Sequence, residues 1–179
     1  MILDLAPLTK SEASHLPFDF EFEQPAIDYY GDVYLFNDRV HVNGHVWRVD
    51  EKMLLELTIQ TTVEVACARC LKNVREPVNQ SASIQLIDAT NDMLESEVDE
   101  DVEFVRGNKV DLVVQAQQLL FVSLPLKTLC QKDCQGICPQ CGARIGTGDC
   151  HCDQIHRDAE ETDPRLERLK EWVTREREE

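Results

Sequence analysis

Hydrophobic and polar residues alternate most regularly between Leu55 and Val65. Leu55, Leu57, Ile59, Val63 and Val65 share one parity, with Glu56, Thr58, Gln60 and Thr62 on the other. A period of two marks a strand buried on one face, so the segment predicts a half-exposed strand of an antiparallel sheet. Val74 to Leu86 reads as its return partner, with Cys67 and Cys70 at the bend between them. Upstream, Val33 and Leu35 alternate, and Val40, Val42 and Val46 surround Asn43-Gly44. Asn-Gly favours a two-residue type I′ turn, because both central residues need positive φ, so a hairpin is expected there. The stretch carrying Pro7, Pro17 and Pro25 has little periodicity and predicts an extended arm or an early edge strand.

The period turns helical after Asp111, a natural cap, where Leu112, Ala116, Leu119 and Leu120 form an apolar stripe bounded by Pro125. A second helix is expected from Asp163-Pro164, with Leu166, Leu169, Trp172 and Val173 at helical spacing and Trp172 docking it on the core. Between the sheet and the first helix, residues 88–103 are dominated by acid. They read as a solvated loop, or alternatively as an acidic docking surface for a basic partner.

Charge narrows the possible partners. The chain of 179 residues carries 18 basic against 34 acidic side chains, a net charge of −16. That balance argues against broad, sequence-independent binding of a phosphate backbone, and leaves room for a local basic patch or a basic protein partner. No run of about 18 apolar residues is present, and MILDLAPLTK has neither the basic leader nor the apolar core of a secretory signal. The expected location is the cytoplasm, where thiols stay reduced.

In that compartment, eight cysteines in four pairs suggest metal rather than disulfides. The pairs are Cys67/Cys70, Cys130/Cys134, Cys138/Cys141 and Cys150/Cys152. A C-x2-C turn brings two thiolates to one ion while backbone amides point at the sulfurs, and Gly142 suits the turn that follows Cys141. Four thiolates suit zinc in a closed, structural site, with an iron–sulfur cluster as the alternative. Chain order favours two sites: Cys138, Cys141, Cys150 and Cys152 in one, and Cys67, Cys70, Cys130 and Cys134 in the other. The latter would join the sheet to the C-terminal ribbon. The rival is a single zinc held by the six C-terminal cysteines, leaving Cys67 and Cys70 free or redox-active. His151 could replace a neighbouring thiol, but its place between two cysteines points it away.

Thiols in surplus, with no H-E-x-x-H or H-x-E motif, do not fit a catalytic zinc. No phosphate-binding glycine loop or nucleophile elbow is present, and the chain does not read as an enzyme. The expected fold is α+β. An antiparallel, barrel-like sheet core with a few helices occupies residues 1–125, acidic loop included. A zinc-ribbon-like cysteine module with the last helix packed on it occupies residues 126–179.

The segments CARCL from Cys67, LPLKTLC from Leu124, DCQGICPQCG from Asp133 and DPRL from Asp163, in this order, resemble the YceD family of large ribosomal RNA subunit accumulation proteins. Ile137 stands where the family pattern usually has Leu. The resemblance implies a bacterial cytoplasmic factor that supports 23S rRNA accumulation or processing and assembly of the large subunit. Its partners would be 23S rRNA, a large-subunit precursor or a basic ribosomal protein. Variable retention of the cysteine pairs within the family implies structural rather than catalytic metal. Carried onto this chain, the CxRC turn implies an RNA contact at Arg69, with Lys72 and Arg75 just beyond. Arg165, in the DPRL segment, is a weaker candidate because helix capping already explains the motif.

Overall fold

The long alternating segment is the spine of the sheet. In the computed structural model, which describes residues 1–49, 52–88, 102–105, 107–146, 150 and 152, β6 runs without interruption from Lys52 to Ala66. The chain divides into two units, Met1–Cys130 and Gln131–Glu179.

The first unit opens with β1 (Ile2–Asp4), a single-turn helix α1 (Ala6–Thr9) and β2 (His15–Phe22). It continues through β3 (Ile27–Tyr29), β4 (Asp32–Phe36) and β5 (Val40–Val49) into β6. After β6 come β7 (Asn73–Asp88), β8 (Val102–Val105), β9 (Lys109–Asp111) and α2 (Leu112–Val122). One side of β6 pairs along its length with β7, from Met53↔Leu86 to Ala66↔Asn73. Its other side is shared by β5, from His41↔Gln60 to Val49↔Lys52, and by β4 at Leu35↔Glu64 and Phe36↔Val63. β2 extends the sheet beyond β5, β8 lies parallel to β7, and β1 pairs with β9 in a separate two-stranded ribbon.

The inward parity of β6 is the predicted one: Leu55, Leu57, Ile59, Val63 and Val65 are buried. Leu112, Ala116, Leu119 and Leu120 of α2 join them in the core, as do Leu5 and Leu8 near the N-terminus. Asp111 caps α2 as expected, its Oδ1 accepting the Val113 N–H at 3.0 Å. The early proline-bearing stretch supplies an edge strand, and Pro17 removes a donor from it, which an edge position tolerates.

Three expectations change. First, Asn43-Gly44 is not a turn: both residues lie inside β5, and neither has positive φ. Gly44 answers to a close approach instead, since a Cβ there would overlap the Glu56 carbonyl oxygen and stand 2.8 Å from the Phe18 ring. A two-residue hairpin turn with positive φ at both positions occurs instead at Tyr30-Gly31, joining β3 to β4 with φ of 53° and 88°, and Gly107-Asn108 ahead of β9 also takes positive φ at both positions. Second, among the described residues the sheet does not close into a barrel: β2 and β8 each pair on one side only. Third, the acidic stretch is not all loop, because Asp88 ends β7 while Val102 and Glu103 begin β8. The remainder of that stretch, 89–101, lies outside the described residues, as do His151 and the expected helix carrying Asp163, Pro164, Arg165, Leu166, Leu169, Trp172 and Val173.

Candidate metal centre

β6 ends at Ala66 and β7 begins at Asn73, so six residues must reverse the chain and present both thiols of the first pair. Cys67 N–H donates to Lys72 O at 2.8 Å, and Leu71 N–H returns to Cys67 O at 3.0 Å. Leu71 takes φ 58°, which tightens the knuckle behind Cys70. The knuckle is tied to the segment after α2 by Ala68 N–H donating to Thr128 O at 2.9 Å. Cys130 follows two residues later, and its Sγ lies 3.5 Å from that of Cys70. Cys134 enters through a turn in which its own N–H donates to Gln131 O at 3.1 Å.

The second knuckle has the same construction. Cys138 N–H donates to Ala143 O at 2.7 Å and Gly142 N–H to Cys138 O at 2.8 Å, with Gly142 at φ 71°. Ile137 and Arg144 form a bridge that holds the two limbs together, and Cys141 Sγ lies 3.7 Å from Cys150 Sγ.

The eight thiols therefore gather into two sets of four, Cys67/Cys70/Cys130/Cys134 and Cys138/Cys141/Cys150/Cys152, the same division that chain order suggests. Within each set all sulfurs lie within 4.8 Å of one another. None of the eight is in a disulfide. Four sulfurs around one ion at Zn–S about 2.3 Å would stand about 3.8 Å apart, whereas a disulfide would bring two to about 2.05 Å. The spacings of 3.5 and 3.7 Å suit the first arrangement. Both sets could hold a metal ion, and four protein ligands leave no position open for a substrate. The first set is the more sheltered: Cys67, Cys70 and Cys134 are buried, whereas in the second only Cys138 is.

The backbone prepares the first set for thiolate. The Cys70 amide, with those of Arg69 and Cys130 behind it, lowers the Cys67 thiol to about 6 against the opposing effect of burial. In the second set a hydrogen bond with the Cys141 sulfur, followed by burial, favours the neutral thiol of Cys152 and pushes it up to about 12.

Arg69 and Lys72 are exposed on the first knuckle. Arg75 stands on β7 in a different setting, its Nε 3.4 Å from Glu64 Oε2. Glu64 also accepts from Asn73 Nδ2 at 2.8 Å and Asn37 Nδ2 at 3.1 Å, and these contacts hold its carboxyl below the usual range, the Asn73 bond most of all. Neither this hub nor the Thr128 carbonyl was visible in the sequence. Both depend on partners brought together from distant segments.

The family model described as large ribosomal RNA subunit accumulation protein YceD matches residues 55–171, which takes in both knuckles. Uncharacterised proteins of Mycobacterium tuberculosis and Mycobacterium bovis are each 33% identical over 129 residues, 70% of this chain and 58% of theirs. The chain thus spans 58% of the length of these relatives. A chloroplast protein of Arabidopsis thaliana, named a large ribosomal RNA subunit accumulation protein YCED homolog, is 23% identical over 148 residues, 66% of this chain and 45% of that one. No solved structure matches the chain significantly.

Proposed function

The chain belongs to the YceD family, and from that premise we propose that it is a non-enzymatic cytoplasmic factor for 23S rRNA accumulation and large-subunit assembly, with two structural zinc ions. The family's description supports the ribosomal role, and the observation that carries the zinc is the pair of four-thiol sets. Thiolate-only donors with no open position suit zinc as scaffold. Among the described residues no helix is long and apolar enough to cross a membrane.

In this reading the first ion fixes the Cys67–Lys72 knuckle, and the knuckle presents Arg69 and Lys72 to RNA phosphate at one defined place. Arg75, paired with Glu64, would exchange that partner for phosphate. Depletion of the protein is expected to lower 23S rRNA relative to 16S and to leave large-subunit precursors in its place. An unchanged 23S to 16S ratio would refute the reading.

The net charge of −16 favours a second reading, a zinc-stabilised interaction module or chaperone for a basic ribosomal protein without RNA contact of its own. Crosslinking with sequencing of the bound RNA separates the two. Reproducible 23S sites that vanish with Arg69→Glu exclude the second, and their absence excludes the first.

A further inference from the structure

Four neighbouring strands of the first unit carry a groove of about 950 Å³ on the outward face of the sheet. Two polar rows line it. One follows the register Asp19–Asn43–Thr58–Ser81 across β2, β5, β6 and β7, and the other includes His45, Glu56 and Ser83. No Lys or Arg is among the lining residues.

The two carboxylates are held rather than loose. Glu56 Oε2 accepts from His45 Nε2 at 2.8 Å and from Trp47 Nε1 at 3.2 Å, while Asp19 Oδ1 accepts from His41 Nε2 at 2.9 Å. Each carboxylate is thereby aimed through one oxygen, and the other oxygen has no partner among the described residues. Their side chains are 46% and 70% exposed. Beside Glu56, the Trp47 ring lies 4.6 Å from His45 and 5.0 Å from His15, forming an aromatic ledge.

We propose that this groove binds an extended, arginine-bearing segment of a basic protein. A guanidinium can stack on an aromatic ring while donating to a carboxylate oxygen, which is the combination that Trp47 and the remaining oxygen of Glu56 offer. Phosphate finds no Lys or Arg among the lining residues, and the carboxylates repel it. Asp19 and Glu56 lie two strands apart and two residues out of step, about 12 Å from ideal sheet spacings. That span matches side chains at i and i+4 on one face of an extended peptide, while Asn43, on the strand between the two carboxylates, offers its amide to the peptide backbone. The surface is separate from Arg69 and Lys72. It rests on the second reading above only for the partner being ribosomal.

The probe is a fluorescent peptide of about ten residues with arginines at i and i+4 in a Ser/Thr background, titrated by anisotropy against the full zinc-loaded chain. Binding is expected to weaken with added salt and to vanish when both arginines are replaced by citrulline, which keeps the shape and removes the charge. Glu56→Gln and Asp19→Asn should each weaken binding about fivefold, the size expected for partly exposed charge pairs. Ser83→Tyr should block the groove with both carboxylates intact, so a loss cannot be blamed on misfolding around a neutralised acid. Arg69→Glu combined with Lys72→Glu should leave peptide affinity unchanged, whatever it does to RNA. Parent-like affinity in the Glu56, Asp19 and Ser83 variants, loss of affinity in the Arg69/Lys72 variant, or displacement of the peptide by single-stranded 23S rRNA fragments would overturn the proposal.

Discussion

Cys67 shows how one residue's chemistry is set by its backbone. Buried sulfur ordinarily resists ionisation, yet the knuckle turns the Cys70 amide, and then those of Arg69 and Cys130, toward it. A thiol of ordinary value 9.0 is thereby lowered to about 6. A group whose folded value is depressed stabilises the fold fully above its unfolded value and loses that contribution as pH falls through the folded one. In zinc-stripped protein, the thermal midpoint should therefore gain more between pH 6 and pH 9 in the parent than in Cys67→Ser, as followed by circular dichroism. Equal pH profiles would mean that the amides do not hold a thiolate there. Thr61 is a different kind of residue-scale feature: its hydroxyl is buried on the inward parity of β6 and makes no hydrogen bond among the described residues.

At the scale of elements, the instructive segment is β5. Its sequence offers Asn43-Gly44 as a turn, and the local signal is strong. It loses because Val40, Val42 and Val46 all point into the core only if the strand continues unbroken between them. Gly44 then serves packing, lying under the Phe18 ring and against the β6 backbone at Glu56 and Leu57. Gly44→Ala should cost about 2 kcal/mol or more in urea unfolding, since the obstruction is backbone and cannot swing away. A cost below about 0.5 kcal/mol, the range of a neutral surface change, would show that β5 and β6 can separate locally.

For the whole molecule the decisive quantity is zinc per chain. Two four-thiol sets predict two ions, falling to one in Cys67→Ser and to one in Cys141→Ser, measured by elemental analysis of each purified protein. One ion in the parent, untouched by Cys67→Ser, would restore the single-site arrangement of the six C-terminal cysteines. The two sets differ in reach: Cys70 and Cys130 are 60 residues apart, so an ion there would close a long loop in the unfolded chain, whereas Cys141 and Cys150 are 9 apart and an ion there would close a short one.

The sequence alone determined what depends on near neighbours. The period of two in β6 reflects which face meets the core, Asp111 caps α2 through a bond two residues away, and each C-x2-C knuckle closes on its own amides. Even the division of the thiols followed from chain order. Tertiary structure decided what depends on partners far along the chain. It kept Asn43-Gly44 extended, committed Arg75 to Glu64 and, among the described residues, left the sheet open at β2 and β8. It also set Asp19 beside His41 and Glu56 beside His45 and Trp47, and so formed a groove from strands whose outward residues read, one at a time, as ordinary solvated positions. The physical reason is that hydrogen-bonding and packing partners are chosen by register, and register is a property of the assembled sheet.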